Sequence, residues 1–311
     1  MARYLDQLLK LRQLRIVNAL WHYGSVSRAS RALRISQPAL TKALQEIEKT
    51  VGSQIYERHA RGVSPTLAGR AIIETSRRVL AEVARLDEEL DRIESGGSGS
   101  VAVGAFPASA VGLLPKVIAR LRTGSSNLQI RIVEGSFEEL GPALGAGEVD
   151  LIVGRLYDPP VPDDFIREQL YNDPVVFLAG ADHPIFGTVP TVSDVAKCDL
   201  IVPPVGRLFG QELDKLVLRL ADFHPALVRS TSVGFTREML HSTNVIALAP
   251  SLLMAADILR GTIRIVKLDL GFPVRPSGVI YRADRALLPS AQRFIEALKA
   301  TIEDILPISS R

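Results

Sequence analysis

A single cysteine, Cys198, stands in 311 residues. No disulfide can close within one chain, which fits a reducing cytosol. The five histidines, at 22, 59, 183, 224 and 241, pair neither with one another nor with the cysteine, so a metal site has no sequence support. No run of 18 apolar residues occurs, although 47% of the chain is hydrophobic. This excludes a membrane-spanning helix and predicts a soluble protein. The opening MARYLDQLLKLRQLR scatters charges among its apolar residues and lacks the uninterrupted core of a secretory signal, so the expected location is cytoplasmic. Enzyme signatures are equally scarce. There is no Walker sequence and no Gly-x-Ser-x-Gly elbow. Gly97-Ser98-Gly99 follows a predicted helix, not a strand, and lacks the third glycine of a nucleotide-binding turn. The expectation is a non-enzyme with no metal and no cofactor.

Against these absences one stretch stands out, Gly24 to Gly52, GSVSRASRALRISQPALTKALQEIEKTVG. Leu40, Leu44, Ile47 and Val51 recur at steps of four, three and four, the buried stripe of a helix. Gln37, Pro38, Thr41, Lys42 and Gln45 fall on the opposite face, and none is acidic. Ser36 suits the N-cap, and Pro38 is tolerated in a first turn, where its missing N–H has no intrahelical partner. Ser25 or Ser27 can start a preceding helix ending near Leu33, with Arg34-Ile35 as the turn. This is the pattern of a helix-turn-helix whose second helix offers Ser, Gln, Thr and Lys to base edges and phosphates. Spacing alone also suits an ordinary helical hairpin with a solvated face.

The following residues weigh against that hairpin. GSQIYERHARGVSPT reads as strand, turn and strand, with Arg58, Arg61 and Gly62 at the tip, a basic wing suited to the phosphate backbone. Residues 1–66 carry 11 Lys and Arg against 4 Asp and Glu, a net of +7, while the remainder carries 26 against 30. A basic module on an acidic body is the footprint of nucleic-acid binding. The candidate DNA contacts are Ser25, Ser27, Arg28, Arg34, Ser36, Gln37, Pro38, Thr41, Lys42, Arg58 and Arg61.

Several motifs follow in order and without a gap over sixty residues. They are Leu11-Arg12-Gln13-Leu14, Gly24-Ser25-Val26, Ala29-x-x-x-Leu33 and Ser36-Gln37-Pro38-Ala39-Leu40, then Ile47-Glu48, Val51-Gly52, Glu57-Arg58, Arg61-Gly62-Val63 and Thr66-x-x-Gly69. On these the chain from Leu11 to Arg70 resembles the DNA-binding domain of LysR-type transcriptional regulators. His59-Ala60 and Ser64-Pro65 depart from the family's wing, and Trp21-His22-Tyr23 makes the end of the first helix unusually aromatic.

Ala68 to Glu94 reads as one long helix, about 40 Å at 1.5 Å per residue. Ile72, Ser76, Val79, Val83, Leu86, Leu90 and Ile93 step by four and three, a seam of three heptads with charged residues on the other faces. Such a seam pairs with a second copy, so Ile72, Val79, Val83, Leu86, Leu90 and Ile93 are the dimerisation candidates. In the family this is the linker helix. SGGSGS at 95–100 ends it as a flexible joint.

Beyond the joint, strand and helix patterns alternate. VAVGAF, LQIRIVEG and VDLIVGRL read as strands separated by the helices GLLPKVIARLRTG and FEELGPALGAGE. A second set runs through DPVVFLAG, VSDVAKCDLIVPP, GQELDKLVLRLADF, ALVRSTS, TREMLHST and VIALAP, and the chain closes on TIRIVKLD, SGVIYRAD and the helix PSAQRFIEALKATIEDI. The alternation indicates a mainly parallel α/β sheet with sites at the C-terminal ends of its strands. Here the resemblance implies two α/β lobes of periplasmic-binding-protein type around a ligand cleft, with crossings near Tyr171 and Leu270. The expected organisation is α/β: a winged helix-turn-helix over 1–66, the linker helix over 67–95, and an effector domain over 100–305. Lobe I would comprise 100–170 and 271–305, and lobe II 171–270. RPSGVIYRADRALLPSAQRFIEALK, with STNVIALAP before it, looks most like the branch containing protocatechuate-responsive and galactose-binding-protein regulators.

Exposed N–H groups at a helix start favour an anion. Phe106, Ala108 and Ser109 precede a helix expected at 112, Ser136 opens one at 137, and Arg155 ends a strand. The loop carrying Gly206, Arg207 and Phe209 would face the same cleft. The resemblance places ligand-binding hydroxyls at the two serines, although helix capping and surface ion pairs use the same residue types. The expected effector is a small aromatic or hydroxy acid or a sugar. The expected function is that of a LysR-type regulator bound to an interrupted palindrome in double-stranded DNA. It would act as a homodimer and homotetramer, with RNA polymerase as a further partner and no membrane. A ligand-independent architectural protein would leave the 100–305 region without a role. A solute-binding protein would need an export signal and would have no use for the basic helix-turn-helix.

Overall fold

The computed structural model describes residues 5–59, 62–95, 99–123, 127–156, 164–204, 228–268, 274 and 276–305. The chain divides into two compact units, the first running to Gly97 and including Pro142–Glu148, the second made of Ser98–Gly141 and the chain from Val149 onward.

The first unit begins with α1 (Leu5–Leu8), α2 (Leu11–Tyr23), α3 (Val26–Ala32) and α4 (Gln37–Val51), followed by the hairpin β1 (Tyr56–His59) and β2 (Gly62–Pro65). Leu40, Leu44, Ile47 and Val51 bury their stripe against Val17, Leu20 and Ala29. Between α3 and α4 the chain turns through Arg34 at φ 54°, and the Ser36 hydroxyl accepts from the Ala39 N–H at 3.3 Å. The wing is fastened at both ends. Tyr56 is buried and its hydroxyl donates to the Val17 carbonyl at 2.7 Å. The Val63 N–H donates to the Gly24 carbonyl at 3.1 Å. Gly62 lies at φ 137°, and a Cβ there would stand 2.2 Å from that carbonyl oxygen, so only glycine lets the wing lie this close to the turn.

α5 (Leu67–Ser95) is a 29-residue helix, but its seam is not one surface. Ile73 and Ser76 are buried and Ile72 packs on the core of the helix-turn-helix, because α2 lies along the first turns of α5. Ile72 is half-buried there, a different setting from the outer part of the seam. Further along, Val79, Leu86 and Leu90 are 37%, 57% and 49% exposed and Val83 is half-buried. Ile93 lies outside the residues whose side chains are described.

The second unit runs β3 (Ser100–Ala105), α6 (Pro107–Gly112), α7 (Leu114–Thr123), β4 (Gln129–Glu134), α8 (Phe137–Ala146), β5 (Leu151–Arg155) and β6 (Phe165–Asn172). It continues through β7 (Val175–Gly180), α9 (Val192–Ala196), β8 (Asp199–Val202), β9 (Val228–Arg229), α10 (Val233–Ser242) and β10 (Val245–Pro250). It ends with α11 (Ala255–Arg260), β11 (Ile263–Val266), β12 (Pro276–Arg282) and α12 (Pro289–Ile305). These form two five-stranded sheets, ordered β4-β3-β5-β12-β6 and β11-β7-β10-β8-β9.

Both sheets are mixed, where a mainly parallel one was expected. β3 is parallel to β4 and β5, but β12 is antiparallel to β5 and β6. In the second sheet β8 is parallel to β9 and β10, while β7 is antiparallel to β10 and β11. The edge strand β6 was not expected, because half of FIREQLYN is charged or polar and its apolar residues do not alternate strictly. It carries the first sheet to Asn172, two residues past the expected boundary at 170. The helix expected over GLLPKVIARLRTG starts earlier, at Pro107, and breaks at Leu113. Pro115 has no N–H for the Val111 carbonyl and its ring would collide with it, which favours the break at Leu113.

Val103, Leu151, Val153, Val279, Phe294 and Leu298 centre the first lobe's core. In the second, Phe177 and Ile246 face one side of the sheet and Leu178 and Ala247 the other, and both sides are buried. Leu252 and Ala255, just after β10, enter the first lobe's core. A Cβ on Gly112 would come within 2.0 Å of the Leu252 carbonyl oxygen, so α6 is seated directly on that turn.

Candidate nucleic-acid interface and ligand cleft

The first turns of α4 bring the sequence-predicted DNA contacts onto one surface. Gln37 and Lys42 are exposed and Thr41 half-buried. The Gln37 Nε2 donates to the Ser27 hydroxyl at 3.2 Å, and the Arg58 Nη2 donates to the Thr41 hydroxyl at 3.4 Å. α3, α4 and the wing are thereby joined through side chains that base edges and phosphates can compete for. Arg28 and Arg34 are exposed on the same module, and Ser25 precedes α3 without a side-chain capping bond. Ser36 is occupied as the cap of α4, beside Pro38 in the first turn. Arg61 lies outside the described residues.

The second unit contains a cleft of about 170 Å³. One wall is formed by Phe106, Ala108, Ser109, Ser136, Glu138 and Arg155, the other by Pro203, Ser230, Thr231, Ser232, Thr236 and Leu253. Several expected effector residues reach it in altered roles. Ser109 is not in a turn. Because α6 starts at Pro107, Ser109 lies inside that helix, 2% exposed, its hydroxyl 3.0 Å from that of Tyr171. The Ser136 hydroxyl and N–H both donate to the Glu139 carboxylate, at 3.0 and 2.8 Å, closing the start of α8 on itself. Arg155 is buried and its Nη2 donates to the Asp173 carbonyl at 2.7 Å. Gly206, Arg207 and Phe209 lie outside the described residues.

Sequence reasoning missed the opposite wall. Its residues were assigned to a strand ALVRSTS and a helix beginning at Thr236, but α10 starts at Val233 with Ser232 as N-cap. The Ser232 hydroxyl accepts from the Phe235 N–H at 3.2 Å, and the Ser230 hydroxyl accepts from the Ser232 N–H at 3.0 Å. Each hydroxyl, having accepted, keeps its own hydrogen for an acceptor in the cleft. The run Ser230-Thr231-Ser232 ahead of Val233-Gly234 was the available signal, since serine before a helix start is a capping pattern.

Asp173, where the chain passes from the first sheet to the second, is 5% exposed. It accepts from the Ser251 hydroxyl and the Leu252 N–H, both at 3.2 Å. Burial pushes its carboxyl up to about 6, against the opposing pull of Arg155 and these two hydrogen bonds. Because the folded value lies above the unfolded one, the stability this group contributes is full below about pH 4. It is lost as pH rises through about 6, an effect of up to about 3 kcal/mol. Asp173→Asn should flatten that part of the stability–pH curve measured by denaturant unfolding. Superimposable profiles for the two proteins would refute the assignment.

Residues 94–303 match the LysR substrate binding domain, and residues 11–70 match the bacterial regulatory helix-turn-helix protein, lysR family. The chain is 29% identical over 301 residues to the transcriptional regulator GbpR of Azospirillum brasilense, covering 96% of this chain and 88% of that one. It is 28% identical over 283 residues to the transcriptional regulator PcaQ of Agrobacterium fabrum, covering 90% of each. The fold is shared with full-length CbnR, solved in complex with its target DNA, at a TM-score of 0.66 and 20% identity over 94% of this chain and 100% of that one. The first matched region carries the basic helix-turn-helix and the second the cleft, and the chain belongs to the LysR family of DNA-binding transcription regulators, whose C-terminal domain senses small molecules.

Proposed function

We propose that this regulator reads an interrupted palindrome as a dimer paired through the outer turns of α5, assembles into a tetramer through its α/β domains, and works in the cytoplasm. RNA polymerase is its further partner at the promoter. An effector seated in the cleft touches both lobes, so it binds one lobe arrangement better than another and shifts the population of DNA-bound geometries. The observation that carries this reading is one chain joining an acid-free polar helix face beside a wing to a cleft lined by hydroxyls.

The effector class is a small hydroxy acid. Ser230, Thr231 and Ser232 gather hydroxyl donors at the start of α10, which suits a carboxylate. Glu138 on the facing wall suits a hydroxyl, and Phe106, Pro203 and Leu253 cover an apolar body. Aromatic acids and sugars are the rivals. Thermal-shift screening against hydroxy acids, aromatic acids and sugars tests the assignment, because a ligand of the native state raises the melting temperature. The hit should bind Thr231→Ala about tenfold more weakly by calorimetry, the loss of one charge-assisted hydrogen bond. A hit that is a neutral sugar, or one indifferent to Thr231→Ala, would overturn the carboxylate placement.

A further inference from the structure

A second cavity, of about 760 Å³, shares no lining residue with the cleft. Lys116 of α7 and Asp304 of α12 form one side, and Phe186, Val189, Leu259, Arg264 and Lys267 contribute to the other. Its apolar part is open to solvent, with Val189 86% and Leu259 54% exposed. Its polar part is cationic. Among the described residues Lys116, Arg264 and Lys267 have no carboxylate partner, and the lining acid, Asp304, is held by Arg120. Arg264 is also fixed in place, its guanidinium stacked 3.9 Å over the Phe186 ring. Stacking occupies the face of the guanidinium and leaves its in-plane N–H groups able to donate.

We propose that this cavity is a second ligand site, for a small amphipathic carboxylate. The carboxylate lies among Lys116, Arg264 and Lys267, and the hydrocarbon covers Val189 and Leu259. A cation is disfavoured by charge, and a neutral apolar molecule gains nothing from Lys116, Arg264 and Lys267, all three of which are exposed and solvated. The walls come from both lobes, as those of the cleft do. A ligand here is therefore linked to the same lobe arrangement that the effector senses, and each must alter the other's affinity by the same factor. The site stands on its own lining and does not depend on the identity of the effector.

Calorimetric titration of the full chain with sodium octanoate, and separately with 1-octanol, tests this. Octanoate should bind saturably at one site per chain, and octanol at least tenfold more weakly. The double variant Arg264→Gln, Lys267→Gln should weaken octanoate at least tenfold. Val189→Glu, at an exposed position where folding is not at stake, should do the same by like-charge repulsion. Thr231→Ala, in the cleft, should leave octanoate binding intact. No saturable octanoate binding, equal affinity for octanol, retained affinity in either cavity variant, or a loss confined to Thr231→Ala would each overturn the proposal.

Discussion

Leu86→Glu is expected to break the proposed pairing through α5, lowering the mass of the assembly, and to lower operator affinity by about a hundredfold or more. Leu86 is 57% exposed on α5, between Val79 and Leu90 at 37% and 49%. Three large apolar side chains on one stripe of a long helix, with charged residues on its other faces, gain by pairing with a second copy. A carboxylate placed in that seam costs several kcal/mol unless it finds a partner. On the proposed reading of a palindrome by a dimer, losing that pairing also removes half the operator contacts. Sedimentation and fluorescence anisotropy on the same variant decide the matter. An unchanged mass with full operator affinity would refute pairing through this helix. Ile72→Glu, in register with the same seam, should behave differently. Its side chain packs on the helix-turn-helix core, so the variant should lose thermal stability before it loses dimerisation.

Gln37→Ala should cost about 1–3 kcal/mol against the operator, from five-fold to more than a hundredfold in affinity, with little change on random duplex. Gln37 is exposed in the first turn of α4, and its amide is held by the Ser27 hydroxyl at 3.2 Å. Exchanging that bond for a base edge leaves its orientation nearly set in advance. Arg58→Ala provides the contrast. As a wing residue bonded to the Thr41 hydroxyl, at 3.4 Å, it should weaken operator and random DNA alike and reduce the salt slope by about one counterion. Anisotropy at two salt concentrations separates the two behaviours. Equal losses for Gln37→Ala on both duplexes would remove it from base readout.

The DNA-binding unit was legible in the chain because its determinants are local. The stripe from Leu40 to Val51 is helical periodicity, Ser36 is an N-cap followed by Pro38, and the wing is a hairpin of neighbouring strands. Each can be read within a few residues. The division into a winged module, a long helix and an α/β sensor followed from the same reading together with charge. Tertiary structure alone decided the rest. β6 gains its stability by pairing with β12, over a hundred residues away in sequence, and its own composition carries no sign of that. Ser109 lines the cleft from inside a helix with its hydroxyl shared with Tyr171, and Ile72 is half-buried against the helix-turn-helix core. The wall of Ser230, Thr231 and Ser232 faces Phe106 and Arg155 only once the two lobes are brought together. Periodicity and capping are properties of neighbours along the chain and were determined by the sequence itself. Which side of a periodic helix is buried, and which hydroxyl is left to meet a ligand, depends on contacts between residues far apart in the chain, and only the folded structure settles them.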